Sequence, residues 1–175
     1  ALPIWNTGIE KIQQNEFTDA IADLDLAIKR NPNDSIAFSY RGRAKFYQEN
    51  FKQAIPDFTQ AIELNPKDGI AYYFRAKSKY YLEDYKGAIL DFNKTIQLNP
   101  KDNLAFYFRG LANFLLDNYD GALPDFNKVI SLDPKFSGSY YYKGRIEYRL
   151  KNYDKAMVEF NKAIMLDSAY ASAYY

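Results

Sequence analysis

The sequence predicts an all-α fold in which five similar pairs of helices are stacked as a solenoid. The first observation is a period of 34 residues, which is typical of stacked supersecondary units. It is marked by Pro32, Pro66, Pro100 and Pro134. The second observation is that each repeat contains two stretches whose apolar residues recur three and four positions apart, as on one face of an amphipathic helix.

Equivalent residues share a position number, which is the residue number in the first repeat. The chain 1–175 is predicted to be a single array with repeats 1–34, 35–68, 69–102, 103–136 and 137–170. Residues 171–175 match the opening of another repeat, so the array is expected to stop inside a sixth one. An array of this kind exposes the face of its last helix pair.

The first helix of each repeat has an aromatic residue near position 4, a small residue at position 8 and an apolar residue at position 12. Its predicted N-terminal caps are Asp34, Asp68 and Asp102, with Ser137 as the substitute in the fifth repeat. Glycine at position 8 is expected to let this helix approach the alanine at position 20 closely.

The second helix is the more regular one. Position 20 is alanine and position 28 is isoleucine in every repeat, and position 17 is aromatic. Its expected caps are Asn50, Asp84, Asn118 and Asn152 at position 16. Pro56 and Pro124 at position 22 each remove one backbone hydrogen bond, so we expect these two helices to bend at their exposed side.

Arg-Gly at positions 7 and 8, together with Ala-Ile-x-Asp-aromatic at positions 20 to 24, resembles the Arg-Gly variant of the tetratricopeptide repeat family. The resemblance covers nearly the whole chain. The departures from its pattern are Ala76, Thr95, Val129 and Ser168. This resemblance implies a right-handed solenoid of antiparallel helix pairs, whose first helices line a concave groove that typically binds peptides.

Composition argues against several function classes. The 23 Lys and Arg residues nearly balance 22 Asp and Glu residues, so no overall field favours nucleic acid or an anionic membrane. The absence of histidine and cysteine removes the commonest acid–base group, the thiol nucleophile and the thiolate metal ligand. We therefore assign no catalytic residue, metal or cofactor and expect no enzymatic activity. No segment is long and apolar enough for membrane insertion, and cytoplasm and periplasm both remain compatible.

Position 23 is acidic in every repeat, and position 7 is basic in four of the five. The residues are Asp23, Asp57, Asp91, Asp125 and Glu159, facing Thr7, Arg41, Arg75, Arg109 and Lys143. Both positions are equally far from the turn near position 15, so an antiparallel pair brings them to one height. We therefore expect pairing within each repeat, in preference to a basic stripe that binds an acidic ligand. The first repeat, with Thr7, shows no compensating cation.

The candidate peptide-binding residues occupy positions 5, 9 and 13, which face the groove in the family that the chain resembles. They are Trp5, Arg43, Tyr47, Tyr73, Lys77, Tyr81, Tyr107, Tyr141 and Arg145. The cations at position 9 have no acidic counterpart in the second helix and are expected to be available to a ligand. Some of the rings could instead pack between neighbouring helices, although positions 4, 8 and 12 already supply a core.

The predicted partner is a protein or peptide that combines hydrophobic anchors with acidic groups, such as an amphipathic acidic helix. Apolar residues at position 2 are expected to line the same groove; they are Leu2, Ile36, Ile70 and Leu104. The family's clamp for two carboxylates is absent, because position 5 is not lysine and position 9 is not asparagine. Nucleic acid is not expected, because nothing suggests a base code in each repeat. The alternative function is end-to-end self-assembly through the open ends of the array.

Overall fold

A computed structural model of the chain describes residues 5–168. The chain divides into two compact units, the N-terminal unit Ala1–Leu98 and the C-terminal unit Asn99–Tyr175. Between residues 5 and 168 the regular structure is helical and contains no strand. Leu2 and the expected start of a sixth repeat at 171–175 lie outside the described residues.

The N-terminal unit contains three helix pairs joined by short connections. Its helices are α1 (Trp5–Gln13), α2 (Phe17–Arg30), α3 (Ser35–Tyr47), α4 (Phe51–Leu64), α5 (Gly69–Tyr81) and α6 (Tyr85–Leu98). Each helix packs against the next one along the chain, and α3 also contacts α1 and α5. The first helices of these three pairs therefore lie side by side.

The C-terminal unit contains two further pairs with the same lengths and spacing. Its helices are α7 (Asn103–Leu115), α8 (Tyr119–Leu132), α9 (Ser137–Arg149) and α10 (Tyr153–Leu166). Packing again follows chain order within each pair and from α8 to α9, and α7 contacts α9 directly. The first helices of this unit are therefore neighbours as well.

Aspartates cap the first helices where the sequence predicts them. Asp34 accepts hydrogen bonds from the backbone N–H groups at 36 and 37, and Asp68 and Asp102 each accept one from the third helical residue. The prediction for the fifth repeat is wrong, because Ser137 is the first residue of α9 rather than its cap. Phe136 occupies the cap position there and forms no side-chain cap bond.

Only two of the four expected caps of the second helices form. Asp84 accepts from the N–H of Gly87 at 2.9 Å, and Asn118 accepts from the N–H of Gly121 at 3.2 Å. A Cβ on Gly87 would lie 2.1 Å from Asp84 Oδ2, so the aspartate side chain would have to shift if this residue were larger. The expected caps Asn50 and Asn152 make no such bond, and their repeats have other residues at the glycine position.

Each connection within a pair contains a residue with a left-handed backbone. These are Asn15, Glu49, Glu83, Asp117 and Lys151, with φ between 56° and 63°. None of them is glycine, although the left-handed region favours glycine because it has no Cβ. The residue that follows each of them donates its N–H to a carbonyl five residues back, as Asn50 does to Lys45 at 2.9 Å, so the left-handed residue ends the first helix with a local hydrogen bond.

The interior of each helix pair is built around position 24. Leu24, Phe58, Phe92 and Phe126 have no exposed surface. Glycine at position 8 makes room for this side chain in the first, second and fourth repeats, since a Cβ on Gly42 would lie 2.7 Å from the ring of Phe58. The predicted close approach of the first helix is present, and its nearest contact in α4 is the position-24 ring rather than the alanine at position 20.

Two prolines lie inside second helices without interrupting them. Pro56 is within α4 and Pro124 within α8, and both helices have 14 residues, as α6 does. Both prolines are exposed, which confirms that position 22 faces away from the core. Water can bind the carbonyl that each proline leaves without a donor. The bend itself stays a prediction.

Candidate functional site

The predicted pairs between positions 7 and 23 are present. Arg41 donates to Asp57 from Nε at 3.1 Å and from a terminal nitrogen at 2.5 Å. Arg75 donates to Asp91 in the same way at 2.9 and 2.7 Å, as does Arg109 to Asp125. These arginines bind acids of their own repeats, so they are structural residues and not a basic stripe open to a ligand.

A second cation, which the sequence analysis missed, reaches the same acids. Lys45 Nζ lies 2.7 Å from Asp57, and Lys79 Nζ lies 2.7 Å from Asp91. In the first repeat Lys11 binds Asp23 at 2.7 Å and compensates for the missing arginine at position 7. The signal was available, since position 11 follows position 7 by one helical turn and is lysine in three repeats.

The charge environment of the acid differs between repeats. The hydrogen bond from Lys11 lowers the pKa of Asp23. In the fourth repeat position 11 is Asn113, and burial raises the pKa of Asp125, although Arg109 opposes this effect. Asp125 thus has Arg109 but no lysine at position 11, whereas Asp57 and Asp91 each have both cations.

The arginines at position 7 also join adjacent repeats within the N-terminal unit. Arg41 donates to Asp25 of α2 at 2.6 Å, and Arg75 donates to Thr59 of α4 at 3.1 Å. Each of these guanidinium groups thus binds its own helix pair and the preceding one. The planar fork of arginine allows this double contact, which the single ammonium of lysine makes less well.

The predicted ligand cations at position 9 lie against aromatic rings. The guanidinium carbon of Arg43 is 4.6 Å from the centre of the Tyr40 ring and 5.3 Å from that of Phe74. Lys77 Nζ is 5.1 Å from the ring of Phe46 and is also close to the rings of Tyr73 and Tyr81. Burial lowers the pKa of Lys77. Both cations are therefore held in place by cation–π contacts.

Arg145 has a similar environment in the C-terminal unit. Its guanidinium carbon is 4.8 Å from the ring of Phe114 and is also near the rings of Tyr141 and Tyr142. Tyr141 packs its ring edge to face against Tyr142 at 5.2 Å. The cation and the candidate tyrosine of α9 therefore lie in one cluster.

The tyrosines at position 13 bridge adjacent helix pairs and remain partly exposed. Tyr47 stacks on Phe17 of α2 at 5.5 Å and is 42% exposed. Tyr81 stacks on Phe51 of α4 at 4.8 Å and is 46% exposed. Their rings serve the packing of the N-terminal unit, and the remaining surface is available to a ligand.

The candidate rings at position 5 are less exposed. Trp5 packs against the first hydrophobic core, and Tyr73 contacts Phe74 at 5.4 Å. Tyr107 packs against Phe136 at 4.7 Å, so the residue that replaces the aspartate cap of the fifth repeat covers part of this ring. Each of these side chains is half-buried.

Position 6 supplies rings that the sequence analysis did not assign. They are Tyr40, Phe74, Phe108 and Tyr142. Phe74 stacks on the buried Phe58, and Tyr142 stacks on the buried Phe126. Four aromatic residues at one position could have revealed this layer, which contacts Arg43 and Arg145.

Two open clefts of the N-terminal unit are lined in part by the tyrosines at position 13. One, of about 330 Å³, is lined by Ile12, Gln13, Asn15, Phe17, Arg43 and Tyr47. The other, of about 370 Å³, is lined by Phe46, Tyr47, Glu49, Phe51 and Tyr81.

Within residues 5–168 no cluster of His, Cys, Asp or Glu is arranged to hold a metal ion. No helix in that range has the length and apolar character needed to cross a membrane.

Comparison with known proteins identifies the repeat. Sequence profiles described as tetratricopeptide repeat match residues 35–68, 104–136 and 137–170, which together are more than half of the chain. This chain belongs to the tetratricopeptide repeat family. No curated protein sequence matches it.

Solved structures share this tetratricopeptide fold. A crystal structure of MamA is 24% identical with a TM-score of 0.88, and the match covers 96% of this chain and 97% of that one. A MamA structure from Desulfovibrio magneticus RS-1 is 20% identical with a TM-score of 0.88, covering 94% and 93%. YrrB, described as a TPR protein with an unusual peptide-binding site, is 25% identical with a TM-score of 0.87, covering 96% and 87%.

These similarities confirm the predicted family and the all-α helical-repeat class of the fold. A tetratricopeptide fold is consistent with a protein-interaction scaffold whose partners are proteins or peptides, and it is typical of non-enzymatic proteins. The Arg-Gly variant, the single-array organisation and the binding residues stay predictions.

Proposed function

We propose that this protein is a scaffold that binds a peptide or helical segment of a partner protein on the exposed side of its first helices. We call this side the A-face. In the N-terminal unit it is formed by α1, α3 and α5 and includes Trp5, Ile36, Arg43, Tyr47, Ile70, Tyr73, Lys77 and Tyr81. YrrB, which has a similar fold, is described as having a peptide-binding site.

The observation that carries the proposal is the exposure of large apolar and aromatic side chains on the A-face. Ile36 is 41% exposed and Ile70 is 55% exposed. Tyr47 and Tyr81 are exposed to a similar degree. Rings with a polar tip and exposed aliphatic groups are common among the residues that contribute most to binding. Their concentration on neighbouring helices favours a protein ligand.

The charge on the A-face favours a ligand with acidic groups as well as apolar anchors. Arg43 and Lys77 lie against rings, whereas the cations at position 7 are occupied by buried aspartates. Cations that are already positioned lose little conformational entropy when they bind a carboxylate. An amphipathic acidic helix or an extended acidic-hydrophobic segment has this chemistry.

The C-terminal unit has a corresponding surface on α7 and α9, with Tyr107, Tyr141 and Arg145. Leu104 on α7 is 45% exposed. Because Tyr107 also packs against Phe136, its replacement by alanine should lower stability as well as affinity. Exposed Leu104 is therefore the better probe of ligand binding in this unit.

The test is to select peptides that bind the protein from a random peptide library and to measure their affinity for two variants. Ile70→Ser removes an A-face side chain that is 55% exposed, and Leu90→Ser removes one that is 67% exposed on α6. We expect Ile70→Ser to weaken binding about tenfold and Leu90→Ser to leave it unchanged. Loss of binding in Leu90→Ser alone, or no peptide that responds to Ile70→Ser, would contradict the proposal.

A second candidate function is self-assembly through the last helix pair. Tyr153 of α10 is 56% exposed and Met157 is 54% exposed. Their equivalents in the first repeat, Phe17 and Ile21, are half-buried and pack against the core cluster of that repeat. An open apolar face on a helical repeat favours association with another chain.

A further inference from the structure

Arg43 is a cation with an unmet hydrogen-bonding requirement. Its guanidinium carbon lies over the rings of Tyr40 and Phe74 at 4.6 and 5.3 Å. Its Nε atom is buried and has no hydrogen-bond acceptor among residues 5–168. A buried donor without an acceptor is unfavourable, and most such groups in proteins are satisfied. The terminal nitrogens of the same guanidinium are not among the buried atoms, so they are the donors that a ligand can reach.

The position-7 arginines show which acceptor satisfies a partly buried guanidinium in this protein. Arg41 and Arg75 each donate from Nε and from one terminal nitrogen to both oxygens of a single aspartate. This two-bond arrangement is the one that a carboxylate and the guanidinium fork form best. Arg43 has the same fork without a carboxylate, and its terminal nitrogens are the part of it that is not buried.

Arg43 also lines an open cleft into which a ligand side chain can enter. The Arg43 cleft has a volume of about 330 Å³ and lies at α1, the turn after it, α2 and α3. Its other lining residues are Ile12, Gln13, Asn15, Phe17 and Tyr47. None of these lining residues is acidic, so the positive charge of Arg43 is not neutralised from within the cleft. Ile12 and Phe17 add an apolar wall.

We propose that the Arg43 cleft binds an aspartate or glutamate side chain of the partner peptide, with a neighbouring apolar side chain against Ile12 and Phe17. The inference rests on the proposed function and assigns a position to the acidic group of the ligand. Because the cleft is open, the ligand chain can continue past it, which suits a side-chain carboxylate. The carboxylate accepts from the terminal nitrogens of Arg43, since Nε itself is buried.

The first experiment uses the unmodified protein and two short probes. The Nε–H resonance of Arg43 is identified in a ¹⁵N spectrum by its loss in Arg43→Lys. Acetyl-Leu-Glu-Leu-amide, titrated to millimolar concentration, should move this resonance downfield in a saturable way, whereas acetyl-Leu-Gln-Leu-amide should move it far less. Equal shifts, or none with either peptide, would overturn the proposal. A larger saturable shift with inorganic phosphate than with the Glu peptide would assign the cleft to phosphate groups instead.

The second experiment separates this inference from the proposed function. Selected peptides that lose affinity in Ile70→Ser are measured against Arg43→Gln, with Lys94→Gln on α6 as the control. We expect Arg43→Gln to weaken binding roughly tenfold or more, because it removes a charge-assisted hydrogen bond. Peptides sensitive to Ile70→Ser but not to Arg43→Gln would leave the scaffold proposal standing and refute the Arg43 cleft.

Thermal unfolding of Arg43→Gln shows whether its loss of contacts with Tyr40 and Phe74 alters the fold. If that variant is unfolded, the resonance shift in the unmodified protein decides the question. Arg43→Lys keeps the charge but lacks the fork, so its affinity should lie between those of the unmodified protein and Arg43→Gln.

Discussion

At the scale of single residues, the acids at position 23 explain how a largely helical chain accommodates charge in its interior. Asp57 and Asp91 are 3% and 4% exposed, and each binds an arginine and a lysine. An isolated carboxylate at this depth would be strongly unfavourable, whereas two cations and their hydrogen bonds compensate for the lost water. The same contacts align the two helices of a pair.

Replacing Asp91 by asparagine should lower the free energy of unfolding by roughly 2–4 kcal/mol, because Arg75 and Lys79 are then left partly buried opposite a neutral group. Urea unfolding at neutral pH measures the change. Asp25→Asn is the matched control, since Asp25 is 56% exposed and binds Arg41 at the surface. That control should cost less than about 1 kcal/mol. Equal costs for the two variants would show that burial does not determine the effect.

Replacing Glu83 by glycine should raise the free energy of unfolding by about 0.5–1 kcal/mol. Glu83 has a φ of 63°, where a side chain costs about 1–2 kcal/mol, and the greater freedom of glycine in the unfolded chain offsets part of this gain. Thermal unfolding measures it. Asn15→Gly, at an equivalent position with φ of 62°, should give a smaller gain, because asparagine tolerates this conformation better. A destabilised Glu83→Gly would contradict this account.

Asp23 and Asp125 should titrate on opposite sides of the ordinary aspartate pKa of 3.8. Lys11 lowers the pKa of Asp23, so the stability that this acid contributes is present above 3.8 and is lost as pH falls through its folded-state pKa. Burial raises the pKa of Asp125, so its contribution is present below 3.8 and is lost as pH rises through its folded-state value. Carboxyl ¹³C titration by NMR measures both; a higher midpoint for Asp23 than for Asp125 would refute the assignment.

At the scale of helices, similar sequences at the helix starts produce different caps. Asp68 accepts from the N–H of Ala71 at 2.9 Å, whereas Asn50 makes no cap bond and its amide donates to Gln48. A side chain caps a helix only when its oxygen can reach the free N–H groups of the first turn. Residue type therefore predicts a capacity to cap, and the local packing decides whether it is used.

Asp68→Ala should lower the free energy of unfolding by about 1 kcal/mol, because it leaves a backbone N–H of α5 without its acceptor. Asn50→Ala, at the start of α4, should have almost no effect, because Asn50 forms no cap bond that could be lost. Denaturant unfolding of the two variants provides the measurement. Similar losses in both would mean that Asn50 caps its helix in solution.

At the scale of the whole molecule, the exposed apolar side chains of α10 should cause association at high concentration. Tyr153 is 56% exposed and Met157 is 54% exposed, whereas their equivalents in the first repeat pack against the core. Sedimentation should show a mass that rises with concentration, and Met157→Glu should suppress the rise by placing a charge on the apolar face. Leu90→Glu, on the exposed side of α6, should not. A monomer at every concentration would argue against this association.

Several structural features could be read from the sequence because they depend on spacing along one chain. The period predicts the helices, and the equal distance of positions 7 and 23 from the turn predicts the pair of Arg75 with Asp91. Lys79 was missed although position 11 lies one turn after position 7, because its contact with Asp91 also depends on the direction of a long side chain. The fifth repeat was misjudged because the cap position falls on Phe136, whose side chain has no acceptor and packs on Tyr107.

The sequence by itself therefore determined the class of fold, the helix bounds to within a few residues and the pairs between positions 7 and 23, since all of these follow from local periodicity. The tertiary structure alone decided the surroundings of the candidate binding residues. Arg43 and Arg41 differ little in their local sequence, yet Arg41 binds buried acids and Arg43 lies against rings with a buried Nε that has no acceptor. The physical reason is that desolvation and hydrogen-bond partners depend on which side chains of other helices surround a group, and that arrangement exists only after the repeats have packed.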